Sequence, residues 1–267
     1  MFPREDSKRR CSDGCVSRRR AHQLRIVDLR SLSQRERASA FTLVELLIVI
    51  GIIAVLLVLI APAFTIIKSA ADVTSAAYTI KGALDTARTY AKANNTYAWV
   101  GFAGSIGPNT VPDAITGQVE VAIVASKDGT NLWSANNALP AASLTQVGKM
   151  ITLNNIHIGD TGVPQTDGTE FESRENVDSF HRISTSDNTP YPFTVQGTTF
   201  NKWIQFSPRG EALVHGGGFS IVKAAEVGVL PTHGTALAVT QSGNLWLGNV
   251  AAIQIGGFTG NVRIYRR

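Results

Sequence analysis

The sequence predicts an α+β chain in which one long N-terminal helix packs on a mostly antiparallel β-sheet domain. Three observations predict it. Residues 46–64 form an uncharged apolar run of 19 residues, LLIVIGIIAVLLVLIAPAF. Apolar residues then recur at three- and four-residue spacing as far as Ala91, which is the helical period. After Asn95 the pattern breaks into short β-like runs separated by Gly, Pro, Asn and Asp, the residues that turns require.

The segment before the apolar run differs in composition from the rest. Residues 1–40 hold 11 of the 25 Lys and Arg and 5 of the 20 Asp and Glu, which leaves 14 basic against 15 acidic residues in 41–267. The formal charge of +5 therefore belongs to this leader, and the remaining chain is not a polycation built for nucleic acid. Both cysteines, Cys11 and Cys15, also lie in the leader. Neither a disulfide nor a thiolate metal site is expected in the main domain. With 44% hydrophobic residues the chain can bury a core, so disorder is not the default.

At about 1.5 Å per residue, an apolar helix of this length crosses the hydrocarbon of a bilayer. The arginine-rich flank before it is expected to stay in the cytoplasm, with the C-terminal domain exported. A secretory signal peptide would carry its small residues after the apolar run. Here Ala38, Ser39 and Ala40 precede it. Two residues depart from a plain anchor. Glu45 sits at the edge of the run, where an ionisable group costs ~2.5–3.5 kcal/mol and is by default functional. Pro62 lies inside it, where the ring removes a helical hydrogen bond and favours a kink.

The stretch Ala40-Phe-Thr-Leu-Val-Glu-Leu-Leu-Ile-Val-Ile50 resembles the cleavage and methylation signature of type IV prepilins and type II secretion pseudopilins. The resemblance implies cleavage between Ala40 and Phe41, N-methylation of the new Phe41 amine, and an assembly role for Glu45 and Pro62. It further implies that the Glu45 carboxylate pairs with the Phe41 amine of a neighbouring subunit. Ala40 stands where the family usually has glycine, and as the smallest alternative it is expected to allow the cut. The implied partners are a prepilin peptidase/N-methyltransferase, other pilin or pseudopilin subunits, inner-membrane lipid and the assembly machinery. The implied location is the bacterial inner membrane, single-pass, and a filament after assembly.

Four segments follow: a removed leader at 1–40, a transmembrane half of the helix at 41–64, an amphipathic half at 65–95 and an exported β-rich domain at 96–267. In the amphipathic half Ala70, Val73, Ala77, Ile80, Leu84, Ala87 and Ala91 form one stripe, and Asn94-Asn95 is the expected stop. Strands are expected at 97–102, 118–125, 150–158, 202–207, 236–241, 250–255 and 262–265. The helix end Ala87-Arg-Thr-Tyr-Ala91-Lys-Ala-Asn94, with Phe206-Ser-Pro-Arg-Gly210, is similar to H-type pseudopilins and related minor pilins. That likeness implies a minor subunit of a type II secretion pseudopilus or type IV pilus.

No motif calls for a cofactor, a metal or an enzyme activity. His215-Gly-Gly-Gly218 lacks the G-x-S-x-G elbow of a hydrolase and reads as a glycine turn. Asp160, Asp167, Glu170, Glu172, Glu175 and Asp178 follow no EF-hand spacing. With Arg174 and Arg182 interleaved, they read as a solvated acidic loop. The C-terminal Arg263, Arg266 and Arg267 with Tyr265 suit phosphate contact and base stacking. They carry the alternative reading, a DNA- or ligand-binding tip subunit of a competence or adhesion pilus.

Overall fold

The computed structural model describes residues 41–106, 109–110, 115–132, 138–162, 164, 168–178, 181–183, 192–213, 223–242 and 245–267. Within these, the side chains of 59–68, 105–106, 109–110, 241–242 and 245–247 are not described. The leader 1–40, with Ala40 and both cysteines, lies outside the described residues, as do Asp167 and His215. The chain divides into two compact units, Met1–Ile52 and Ile53–Arg267.

Helix α1 spans Leu43–Ala93. Strands β1 (Ala98–Ile106), β2 (Asn109–Thr110), β3 (Gln118–Ser126), β4 (Leu144–Gln146), β5 (Ile151–Asn154) and β6 (Ile156–Gly159) follow. Next come β7 (Arg182–Ile183), β8 (Phe193–Val195), β9 (Thr198–Phe200), β10 (Lys202–Phe206) and β11 (Ala212–Leu213). The chain closes with β12 (Ala224–His233), β13 (Ala236–Leu237), β14 (Thr240–Ser242), β15 (Leu245–Leu247), β16 (Ala251–Gly256) and β17 (Val262–Arg266). A first sheet runs β11-β10-β1-β3-β4, with β5 on β3 and β2 on β1. A second runs β13-β12-β16-β17, with β6 and β7 on β12. Among the described residues pairing is antiparallel except between β7 and β12, so the expected α+β class with mostly antiparallel sheets holds.

The two periodicities meet in one core. Val73, Ala77, Ile80, Leu84, Ala87 and Ala91 of α1 are buried in a cluster with alternate residues of both sheets. Val100, Phe102, Val121 and Ile123 come from the first sheet, and Val227, Val229, Ile253 and Ile255 from the second. Because strand side chains alternate, the intervening residues face away and form two outer cores. Trp99, Val124 and Trp203 pack with Phe193 and Phe200 of the β8–β9 hairpin. Leu230, Val250 and Ala252 pack beneath Phe171, which lies in the 3-10 turn Phe171–Ser173.

Helix α1 ends as the sequence predicts. Asn95 adopts φ 49°, and the Thr96 amide donates back to the Ala91 carbonyl at 3.0 Å, a left-handed stop that asparagine tolerates. The expected strand at 150–158 is instead two strands. Asn155, at φ 60°, turns the chain from β5 on the first sheet to β6 on the second. Its Nδ2 donates to Asp72 Oδ2 of α1 at 2.9 Å.

The transmembrane expectation for 41–64 is not confirmed by the described residues. Among them no helix is long and apolar enough to cross a membrane. The described side chains of the apolar run stop at Val58, short of its expected end at Phe64.

Candidate functional site

The first turn of α1 is a closed capping box. Thr42 precedes the helix, and its Oγ1 accepts from the Glu45 amide at 3.2 Å. Glu45 Oε2 accepts in return from the Thr42 amide and from Thr42 Oγ1, each at 2.9 Å. Two donors that the helix start would leave open are thereby satisfied reciprocally. The arrangement is legible in Thr42-Leu-Val-Glu45, a T-x-x-E capping signature directly before an apolar run. Reading Glu45 only as a membrane charge passes over Thr42.

Phe41 precedes this box and is 84% exposed. From Leu43 to Val58 every residue is exposed, around the whole circumference of the helix. Such a helix is apolar on all sides, which water does not support and which a low-dielectric surrounding does. Helix α1 continues through Pro62, whose missing amide removes one bond of the helical ladder.

At the other end of the chain the three arginines diverge. In β17, Ile264 packs towards the inner core and Tyr265 towards the outer one. Arg263 and Arg267 therefore share one face and Arg266 has the opposite one. Arg266 donates to Asn249 Oδ1 at 2.9 Å, and Arg267 donates to Glu172 Oε1 at 2.8 Å. Arg263 is exposed.

Arg267 leads into a buried ionic cluster, where the expected solvated loop needs correction at Glu172 and Arg174, while Glu170, Glu175 and Asp178 are exposed as expected. Glu172 is buried and accepts from Arg174 Nη1 at 3.2 Å as well as from Arg267. The Arg174 side chain is fully buried. Its Nε donates to Glu226 Oε2 at 3.2 Å, and its remaining contacts go to the Phe171, Thr161 and Gly162 carbonyls. The guanidinium also lies 4.1 Å over the Phe171 ring, a cation–π contact. Glu226, on the central strand β12, further accepts from Gln254 Nε2 at 2.7 Å and from the Thr161 hydroxyl. Two carboxylates thus meet two guanidiniums, which is how buried charge is tolerated. Asp160 pairs with Arg182 and Glu175 with Lys223, while Asp178 stays exposed. The acidic excursion is therefore stapled across the outer face of the second sheet. Among the described residues no group of three or more His, Cys, Asp or Glu is arranged to hold a metal ion.

Residues 35–61 match the family model of the prokaryotic N-terminal methylation motif. No curated protein and no solved structure matches the chain.

Proposed function

We propose that this chain, whose N-terminal segment belongs to the prepilin-type cleavage and methylation family, is a membrane-anchored pilin or pseudopilin subunit. In this reading a prepilin peptidase cuts between Ala40 and Phe41 and methylates the Phe41 amine. Residues 41–64 hold the subunit in the inner membrane, and the β-rich domain lies on the exported side. Subunits then assemble into a type II secretion pseudopilus or a type IV pilus, this one as a minor component. The observation that carries the reading is the fully exposed apolar helix surface from Leu43 to Val58, directly behind the capping box and inside the matched motif.

Glu45 is the residue through which assembly is read. In the single chain its carboxylate is held by Thr42. In a filament it turns to the Phe41 amine of a neighbour, a full positive charge at membrane depth that needs a counter-ion. Glu45→Ala should leave processing and insertion intact, since the uncharged helix enters lipid more easily by up to ~2.5–3.5 kcal/mol. Cross-linking into filaments should be lost. Cross-linking at the wild-type level would reduce Glu45 to a helix cap. Capture of DNA by a C-terminal arginine patch is less well supported. Arg266 and Arg267 are engaged within the domain on opposite faces of β17.

A further inference from the structure

Three cations gather at the end of the domain where α1 stops. Arg88 and Lys92 lie on the last turns of α1, and Arg209 lies in the turn between β10 and β11. Among the described residues their side chains meet no hydrogen-bond or ion-pair partner, whereas Lys81, Arg174, Arg182 and Lys223 each meet a carboxylate. The Arg88 Nε is buried without an acceptor, a costly state for a donor.

Two glycines bring these groups together. Gly210, at φ 87°, and Gly260, at φ 62°, sit in neighbouring turns under the Arg88 and Lys92 side chains. A Cβ on Gly210 would lie 2.9 Å from Lys92 Cδ, and one on Gly260 would lie 2.8 Å from Arg88 Nε. The second turn, 256–260, is tied to β11 by the Ala212 amide donating to the Gly257 carbonyl at 2.7 Å. At its tip Phe258 is 68% exposed.

The helix dipole accounts for a lysine in the last turn. It accounts for neither Arg209 nor an exposed phenylalanine on a separate turn. We infer that Arg88, Lys92, Arg209 and Phe258 form a docking surface for a protein partner that presents carboxylates around an apolar recess. Phe258 fills the recess and the cations meet the carboxylates, the pairing of aromatic and arginine that dominates protein interfaces. A nucleic acid fits less well. Three cations neutralise few phosphates, and residues 41–267 carry 14 basic against 15 acidic groups, so no long-range field draws a polyanion in.

The test uses the full chain in bacterial membranes, with p-benzoylphenylalanine placed at position 258 and activated by light. The expected adducts are with protein, and the cross-linked peptides carry Asp or Glu within a few residues of the attachment point. Lys92→Gln combined with Arg209→Gln removes two exposed charges and leaves the core untouched. It should lower adduct yield roughly fivefold or more, while Lys149→Gln, at an exposed lysine elsewhere, should leave it unchanged. The inference is overturned by nuclease-sensitive adducts, by a yield indifferent to the double substitution, or by the absence of adducts. None of these readouts depends on leader processing or filament growth.

Discussion

Replacing Arg174 with methionine removes the centre of the buried ionic cluster while keeping most of its volume. Glu226 would keep Gln254 and Thr161 as donors but lose its cation, and Glu172 would lose one of its guanidinium partners while keeping Arg267. The carbonyls of Phe171, Thr161 and Gly162 would also lose a donor. Breaking a buried pair from one side costs about 3–5 kcal/mol. For a domain of this size that lowers the melting temperature by roughly 6–20 °C. The assay is thermal unfolding of the full chain in detergent, followed by circular dichroism. The double variant Arg174→Met/Glu226→Gln discharges the orphaned carboxylate. Its loss should be smaller than the two single losses added together, because the residues share one network. A fall below about 2 °C for Arg174→Met, or strict additivity in the cycle, would refute the view that this cluster staples the excursion to the sheet.

Gly228→Ala should destabilise by at least ~1–3 kcal/mol, because the new Cβ would overlap the Gly159 carbonyl oxygen where β6 pairs with β12; a urea midpoint equal to wild type would contradict this. Asp128 accepts hydrogen bonds from the hydroxyls of Ser126 and Thr130 and from the Thr130 amide. These hold its carboxyl at about 2, below its ordinary 3.8. Its contribution to loop order is therefore complete above the ordinary value and disappears as pH falls through about 2. A carboxyl titration followed by NMR should show that low midpoint, and a midpoint near 3.8 would contradict it. A fragment beginning at residue 69 keeps the buried stripe from Val73 to Ala91 and should fold as a soluble, cysteine-free domain with dispersed amide resonances. Collapsed resonances would show that the domain needs its anchor.

What the sequence revealed followed from strong periodicity. The stripe of α1, the helix stop at Asn94-Asn95, and strands β1, β3, β10, β16 and β17 all lie close to where alternation and turn residues put them. Strand β12 was hidden, although it is the strand on which β6, β7, β13 and β16 pair. Ala224–His233 contains Glu226, Gly228 and Pro231, each of which argues against a central strand on local grounds. The tertiary context answers each objection. Glu226 meets Arg174, Gly228 admits the Gly159 carbonyl, and Pro231 lies beyond the last residue paired with β16, which is Val229. In the acidic excursion Glu170, Glu175 and Asp178 are exposed as expected, and the burial of Glu172 and Arg174 is hidden for a related reason. Glu172 and Arg174 look like surface charges in sequence, and only pairing with residues 52 and 95 positions away makes their burial affordable. At the N-terminus the reverse holds, because motif, charge and capping signature are all local.

Intact-mass analysis of the protein from membrane fractions tests the central claim most directly. The account predicts a mature chain that begins at Phe41 and carries one added methyl group on its amine. A chain that begins beyond Ala63, as a signal peptidase would leave it, or one that retains the leader, would contradict the account.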